Sequence, residues 1–172
     1  MDKDSQFKTV IEHNKDRIFR ICCCYVRDAE QRKDVFQDVL IHIWESLDSF
    51  EGRSQVSTWV YRIAVNTCLG YERTRNRRRK LFDENAEVDS ETIPDNAKGI
   101  ESVGMDQEVA RLYACIDQLQ PIEKTLISLY LEDVSTAEMA EVIGISEGNV
   151  RVKLHRIKKT LKEQMEGNGH GT

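Results

Sequence analysis

The stretch Ser135–Glu163, STAEMAEVIGISEGNVRVKLHRIKKTLKE, decides how the chain folds. Ser135 and Glu138 stand in Ser-x-x-Glu spacing, the pattern in which each side chain satisfies a free amide at a helix start. Ala140 is small enough to let two helices approach closely, and Gly144 permits the left-handed backbone of a tight turn. Ser146 is placed to cap a second helix. Its apolar stripe is Val150, Leu154, Ile157 and Leu161, at helical spacing. The spacing therefore predicts two helices joined by a short turn. The opposite face of the second carries Arg151, Lys153, His155, Arg156, Lys158, Lys159 and Lys162. A helix of this kind suits the DNA major groove, with cations on phosphates and polar groups near its start on base edges.

The rest of the chain is also helical in character. Of 172 residues 40% are hydrophobic, and two prolines and nine glycines leave long uninterrupted runs. The length is enough to bury one or two modest cores. A net charge of −5 looks wrong for a nucleic-acid binder until it is divided along the chain. Residues 1–80 carry +4, residues 81–110 carry −8 and residues 111–172 carry −1. The acid is thus concentrated between two halves. Weak overall charge implies poor unaided affinity for DNA, because nonspecific binding rests on phosphate neutralisation. A protein that works inside a larger assembly fits better.

Hydrophobic periodicity divides the first half into three helices. One, from about Ser5 to Val26, aligns Phe7, Val10, Ile11, Ile18, Ile21, Cys22 and Tyr25. A second, from Ala29 to Leu47, aligns Val35, Phe36, Val39, Leu40, Ile43, Trp44 and Leu47. The loop from Asp48 to Arg53 breaks the pattern. A third then extends from Ser54 to near Lys80, burying Val56, Val60, Ile63, Ala64 and Cys68. Residues 81–105 lose the periodicity and read as an acidic, mobile linker. Beyond it, a helix from Asp106 to Leu119 buries Val109, Leu112, Tyr113 and Ile116, and Pro121 opens another containing Leu126, Ile127, Leu129 and Tyr130. Residues 167–172 read as a frayed tail. The expectation is an all-α chain of two small helical domains, residues 1–80 and 106–166.

Three sets of residues carry functional weight. Asp34, Gln37, Asp38, Ile41 and Glu45 share the polar face of the second helix, where an exposed isoleucine tilts an otherwise solvated surface toward a partner. Phe50, Ser54, Thr58, Trp59 and Tyr61 crowd the start of the third, offering aromatic faces for stacking unpaired bases. Its end, Arg73 to Lys80, holds six cations in eight positions without an acid. Such a block repels itself unless a polyanion relieves it. Chemistry of its own has little support. Four scattered histidines give no metal-spaced cluster, and no phosphate loop or nucleophile elbow appears, so no enzyme, cofactor or metal is expected. Cys22, Cys23, Cys24, Cys68 and Cys115 include no C-x-x-C pair and read as core thiols. With no signal peptide and no apolar run near transmembrane length, a cytoplasmic location without membrane insertion is expected.

These motifs, in this order, resemble those of a bacterial RNA polymerase sigma factor of the extracytoplasmic-function group. The likeness runs from about residue 7 to 163. It is carried by Phe50-Glu-Gly-Arg-Ser54, by Thr58-Trp-Val-Tyr-Arg-Ile-Ala-Val-Asn-Thr67, and by Gly144 through Arg156. The resemblance implies a region 2 over residues 1–80 and a region 4 over residues 106–166. It also implies docking of Asp34, Gln37, Asp38, Ile41 and Glu45 on the clamp helices of the largest polymerase subunit, and region 4 on the flap of the second-largest. Phe50 to Trp59 would hold a base flipped from the minus-10 element. Tyr61, Arg62, Asn66, Arg73 and Arg77 would line the fork. Ser146, Asn149, Arg151, Lys153, His155 and Arg156 would read the minus-35 duplex. The acidic linker would thread the RNA exit channel. An anti-sigma factor or another site-directing protein is a further partner so implied.

Two positions depart from the family pattern. Gly70 stands where many members carry Asp or Asn, and Val152 replaces a hydroxyl-bearing residue in the recognition helix. Two other functions remain open from residues alone. One is a dimeric helix-turn-helix regulator that binds duplex DNA without polymerase, its first domain a sensor. The other is a helical adaptor that uses no DNA, which leaves the basic helix unexplained.

Overall fold

The computed structural model describes residues 2–83 and 106–167. Among these the chain forms seven α-helices and no strand. They are α1 Lys3–Tyr25, α2 Ala29–Ser46, α3 Val56–Asp83, α4 Gln107–Asp117, α5 Pro121–Leu131, α6 Thr136–Ile143 and α7 Glu147–Gly167. A short 3-10 turn, Leu47–Ser49, ends α2, so the expected break begins there rather than at Asp48. The third helix runs past its expected end at Lys80 to Asp83. The linker over residues 84–105 and the tail over residues 168–172 lie outside the described residues.

Helix boundaries follow from local chemistry. The Asp2 carboxylate accepts from Ser5 N at 2.7 Å, and Asp28 accepts from Gln31 N at 2.8 Å, each satisfying an amide with no intrahelical partner. Ser135 and Glu138 form the reciprocal box, and Ser146 Oγ accepts from Asn149 N at 3.2 Å. Gly144 ends α6 with φ +80, the conformation that side chains with a Cβ resist. Buried Arg32 closes the turn between α1 and α2, donating to Val26 O at 3.2 Å and to Arg27 O at 2.9 Å. That places a cation at the C-terminal end of α1, where the helix dipole favours it.

Packing builds two groups of helices. In the first, α1, α2 and α3 all touch one another; in the second, α7 packs on α4, α5 and α6. Val35, Val39, Ile43, Val60, Ala64 and Cys68 fill the first core, and Ile116, Leu126, Leu129 and Met139 the second. The α7 stripe of Val150, Leu154, Ile157 and Leu161 is buried as the spacing requires. All five cysteines are buried free thiols. Burial pushes Cys23 up to about 11, which keeps it protonated and unreactive. Two expected core residues lie at the surface instead: Val56 and Val109. Each falls on the edge of its stripe, and the Tyr130 ring is covered by Lys158 Nζ at 4.7 Å.

The two groups do not sit apart. Helix α1 touches α4 and α5, and α3 touches α5 and α6. Across this seam Arg20 forks onto the buried Glu132 at 2.8 and 2.9 Å. Tyr25 and Thr125 share a buried hydroxyl–hydroxyl hydrogen bond of 2.7 Å. Lys124 Nζ, 2% exposed, meets Glu72 Oε1 at 2.5 Å and Asp117 Oδ1 at 3.4 Å.

Gly70 lies in mid-helix on the exposed side of α3, and a Cβ built there meets nothing within 4 Å. No close approach needs a glycine. Gly70→Ala should therefore stabilise the chain by roughly 0.5–1 kcal/mol through reduced backbone entropy when unfolded. A urea titration checks this as a raised midpoint at unchanged slope.

Candidate nucleic-acid interface

Helix α2 presents Asp34, Gln37, Asp38, Ile41 and Glu45 together on its exposed face. The rise and turn of an α-helix put these positions in one stripe opposite Val35, Val39 and Ile43. Ile41 is 52% exposed, a large apolar side chain ringed by acids. Beside this face, Asp34, Asp38 and His42 of α2 and Thr67, Arg75 and Arg78 of α3 line an open groove of about 820 Å³. Acid lines one wall and base the other.

At the start of α3 the loop turns back through Gly52, at φ +70. The turn brings Phe50 over Trp59, with ring centroids 4.9 Å apart and planes tilted by 40°. Phe50, Ser54, Trp59 and Arg62 then line a small surface pocket of about 240 Å³. Ser49, Glu51 and Arg53 complete the lining, so it offers aromatic rings, hydroxyls, two guanidiniums and one carboxylate. Such a combination can stack a planar base and hold its polar edge or its phosphate. Trp59 is half-buried, serving the core and the pocket at once.

The other residues expected along α3 separate by environment. Asn66, Arg73 and Arg77 are exposed along α3. Tyr61 departs from expectation: it is only 3% exposed, and its hydroxyl accepts from Arg17 at 2.6 Å. Its place on α3 turns it toward α1, so it works as a core ring. Thr58 is 1% exposed because α6 covers it, its hydroxyl donating to Glu138 Oε1 at 2.9 Å. Arg62 reaches Glu141 Oε1 at 3.3 Å.

In the last two helices, Ser146, Asn149, Arg151, His155 and Arg156 are exposed and Lys153 half-buried, all above the buried stripe. Arg151 pairs with Glu147 at 2.6 Å, and Glu147 also accepts from Thr136 on α6 at 2.7 Å. The Thr136 hydroxyl and the Arg151 guanidinium hold the Glu147 carboxyl below its ordinary range. Val152 is half-exposed on the same helix, an apolar group among polar neighbours.

The seam residues Arg20, Glu72, Lys124 and Glu132 are not evident from sequence patterns. Their partners lie 52 to 112 positions away. Lys124 shares α5 with Glu123, Thr125 and Ser128, so no local pattern singles it out.

Comparison with known proteins agrees with this geometry. The Sigma-70 region 2 family matches residues 10–78, and the Sigma-70 region 4 family matches residues 110–161. The chain is 26% identical over 172 residues to the ECF RNA polymerase sigma factor SigW of Bacillus subtilis, covering 95% of this chain and 90% of that protein. It is 30% identical over 166 residues to the RNA polymerase sigma-H factor of Pseudomonas aeruginosa, covering 93% and 86%. In fold it is similar to the sigma factor RpoE solved with the anti-sigma factor NepR from Bartonella quintana. There the TM-score is 0.70 at 20% identity, with 94% and 97% of the two chains covered. The helical pair at residues 136–167, the three-helix unit before it and the matches to both regions have one explanation: the chain belongs to the sigma-70 family of RNA polymerase sigma factors, in its extracytoplasmic-function branch.

Proposed function

We propose that this sigma factor docks on core polymerase through α2, captures a minus-10 base between α3 and the preceding loop, and reads the minus-35 duplex with α7. The observation that carries the reading is the Phe50–Trp59 pocket, with Ser54 and Arg62 on its rim. Extruding a base costs a few kcal/mol, and an aromatic pocket that accepts it shifts the duplex toward melting. Asn66, Arg73 and Arg77 then follow the separated strand along α3 as phosphate and base contacts. Asn149, Arg151, Lys153, His155 and Arg156 meet the upstream duplex, with Ser146 fixing the helix start. Val152 supplies methyls suited to a thymine. Polymerisation belongs to the core enzyme, and this chain carries no catalytic step.

Asp34, Gln37, Asp38, Ile41 and Glu45 form the docking stripe, with the flap of the second-largest subunit as the site for region 4. The domain limits follow the helices: residues 1–80 continuing to the end of α3, and residues 106–166. Among the described residues no helix is long and apolar enough to cross a membrane. We place the protein in the cytoplasm with its polymerase. The solved complexes of RpoE with NepR and of CnrH with CnrY make an anti-sigma protein a fitting inhibitory partner.

Run-off transcription with purified core enzyme tests the reading. Initiation should depend on this chain and fall by roughly tenfold or more on Asp38→Lys, which sets a cation into an acidic docking stripe. Undiminished core binding and initiation with that variant would remove α2 as the docking surface.

A further inference from the structure

The cations that end α3 do not share one face. Tyr71, Thr74, Arg75, Arg78 and Phe82 recur at steps of three and four residues, so they fall on one side of the helix and line the groove beside α2. Arg73 and Arg77, also four apart, fall on the other side, and Arg73 lines a separate cleft with Pro121 and Val142. The two faces meet different surroundings. Asp34 and Asp38 of α2 line the same groove as Arg75 and Arg78. A phosphate backbone drawn to the basic wall would be brought toward these carboxylates, which repel it. A partner that carries charges of both signs meets no such obstacle. We propose that the groove between α2 and α3 belongs to the polymerase-docking surface, and that its occupant is a helix of core polymerase with basic side chains toward α2 and acidic side chains toward Arg75 and Arg78. The inference rests on the reading of α2 as the docking stripe and gives that surface a second wall of opposite charge.

Further features point the same way. The groove is continuous with the stripe, because Asp34 and Asp38 belong to both. Its two walls do not satisfy one another: among the described residues no ion pair joins them, and Arg75 reaches only Glu72 of its own helix, at 3.9 Å. Arg75 Nε is buried without a hydrogen-bond partner among the described residues, while the side chain as a whole stays 32% exposed. A guanidinium so placed is under-satisfied within the chain and open to a carboxylate from outside. The Tyr71 phenol is held above its ordinary range, first by burial, and feels Arg75 and Arg78 from one wall and Asp34 from the other. Both signs of charge therefore act within the same groove. Phe82, which lines it, is 74% exposed, and Ile41 on the adjoining stripe is 52% exposed. Large apolar side chains set beside polar walls are what a protein partner buries, with the charges fixing its register.

The test separates the two basic faces of α3. Full-length wild type, Arg78→Glu, Arg78→Lys, Arg77→Glu and Asp38→Lys are first compared by circular dichroism. All three positions are exposed, so helix content should not change. Affinity for purified core polymerase is then measured by displacement of fluorescein-labelled wild-type chain. Run-off transcription is followed at limiting and at saturating chain. Arg78→Glu should weaken core binding roughly tenfold, because it sets a carboxylate against an acidic edge, and Arg78→Lys should stay within about twofold of wild type. The run-off that Arg78→Glu loses at limiting chain should return at saturation. Arg77→Glu should bind core as wild type does, while its run-off stays low at saturation. If Asp38→Lys weakens core binding and Arg78→Glu does not, the groove is overturned and the α2 stripe stands. If neither weakens it, the docking reading falls as well. Wild-type core affinity in Arg78→Glu with run-off that stays low at saturation would make Arg78 a DNA contact and overturn the proposal.

Discussion

Leu154→Ala should bring the last four helices close to unfolding and lower their urea midpoint sharply. Leu154 is buried at the middle of the α7 stripe, where α7 packs on α4, α5 and α6. Removing most of a buried leucine loses its transfer free energy and leaves a cavity, together about 2–5 kcal/mol. The total stability of a domain this small is on the order of 0.05–0.15 kcal/mol per residue. For residues 107–167 that is roughly 3–9 kcal/mol, so the loss removes a large part of the unit's stability. Urea unfolding followed by circular dichroism should show an early transition for residues 107–167, while α1 to α3 keep their own core. A variant that unfolds in step with wild type would mean that α7 is not held by this stripe.

Arg151→Ala should weaken specific promoter binding by the reconstituted holoenzyme by about 1–3 kcal/mol, or roughly 5- to 150-fold. In the free chain Arg151 is paired with Glu147, yet both side chains are well exposed. Exposed pairs contribute little, so the pair yields when a base edge or phosphate is offered. Competition between promoter and unrelated duplex, measured at one fixed salt concentration, separates base reading from simple charge. Equal loss on both duplexes would make Arg151 a phosphate contact. Selective loss on the promoter would make it a reader of bases.

Much of this was legible in the sequence because it is local. Caps, the turn glycine and stripes repeat within one or two helical turns, so Ser135, Gly144 and the Val150–Leu161 stripe specify their own structure. The exposed stripe of α2 follows in the same way once Val35, Val39 and Ile43 are recognised as core. Edge positions were less readable. Val56 and Val109 sit where a small rotation of the helix decides between core and solvent, and periodicity does not fix that rotation. The burial of Tyr61 was hidden for a related reason: its partner, Arg17, is on another helix. The seam was not legible at all. Glu72 and Lys124, or Arg20 and Glu132, are ordinary surface charges in any local window and become partners only when two separately patterned units meet.

The character of that seam bears on how often one molecule can be used. Two faces held by oil alone would, once parted, adhere to neighbouring copies and be lost to aggregation. Faces that carry Arg20, Glu72, Lys124 and Glu132 are wetted instead when exposed. Were they to part, such faces would stay wetted and could rejoin rather than aggregate, leaving the same polypeptide fit for another cycle.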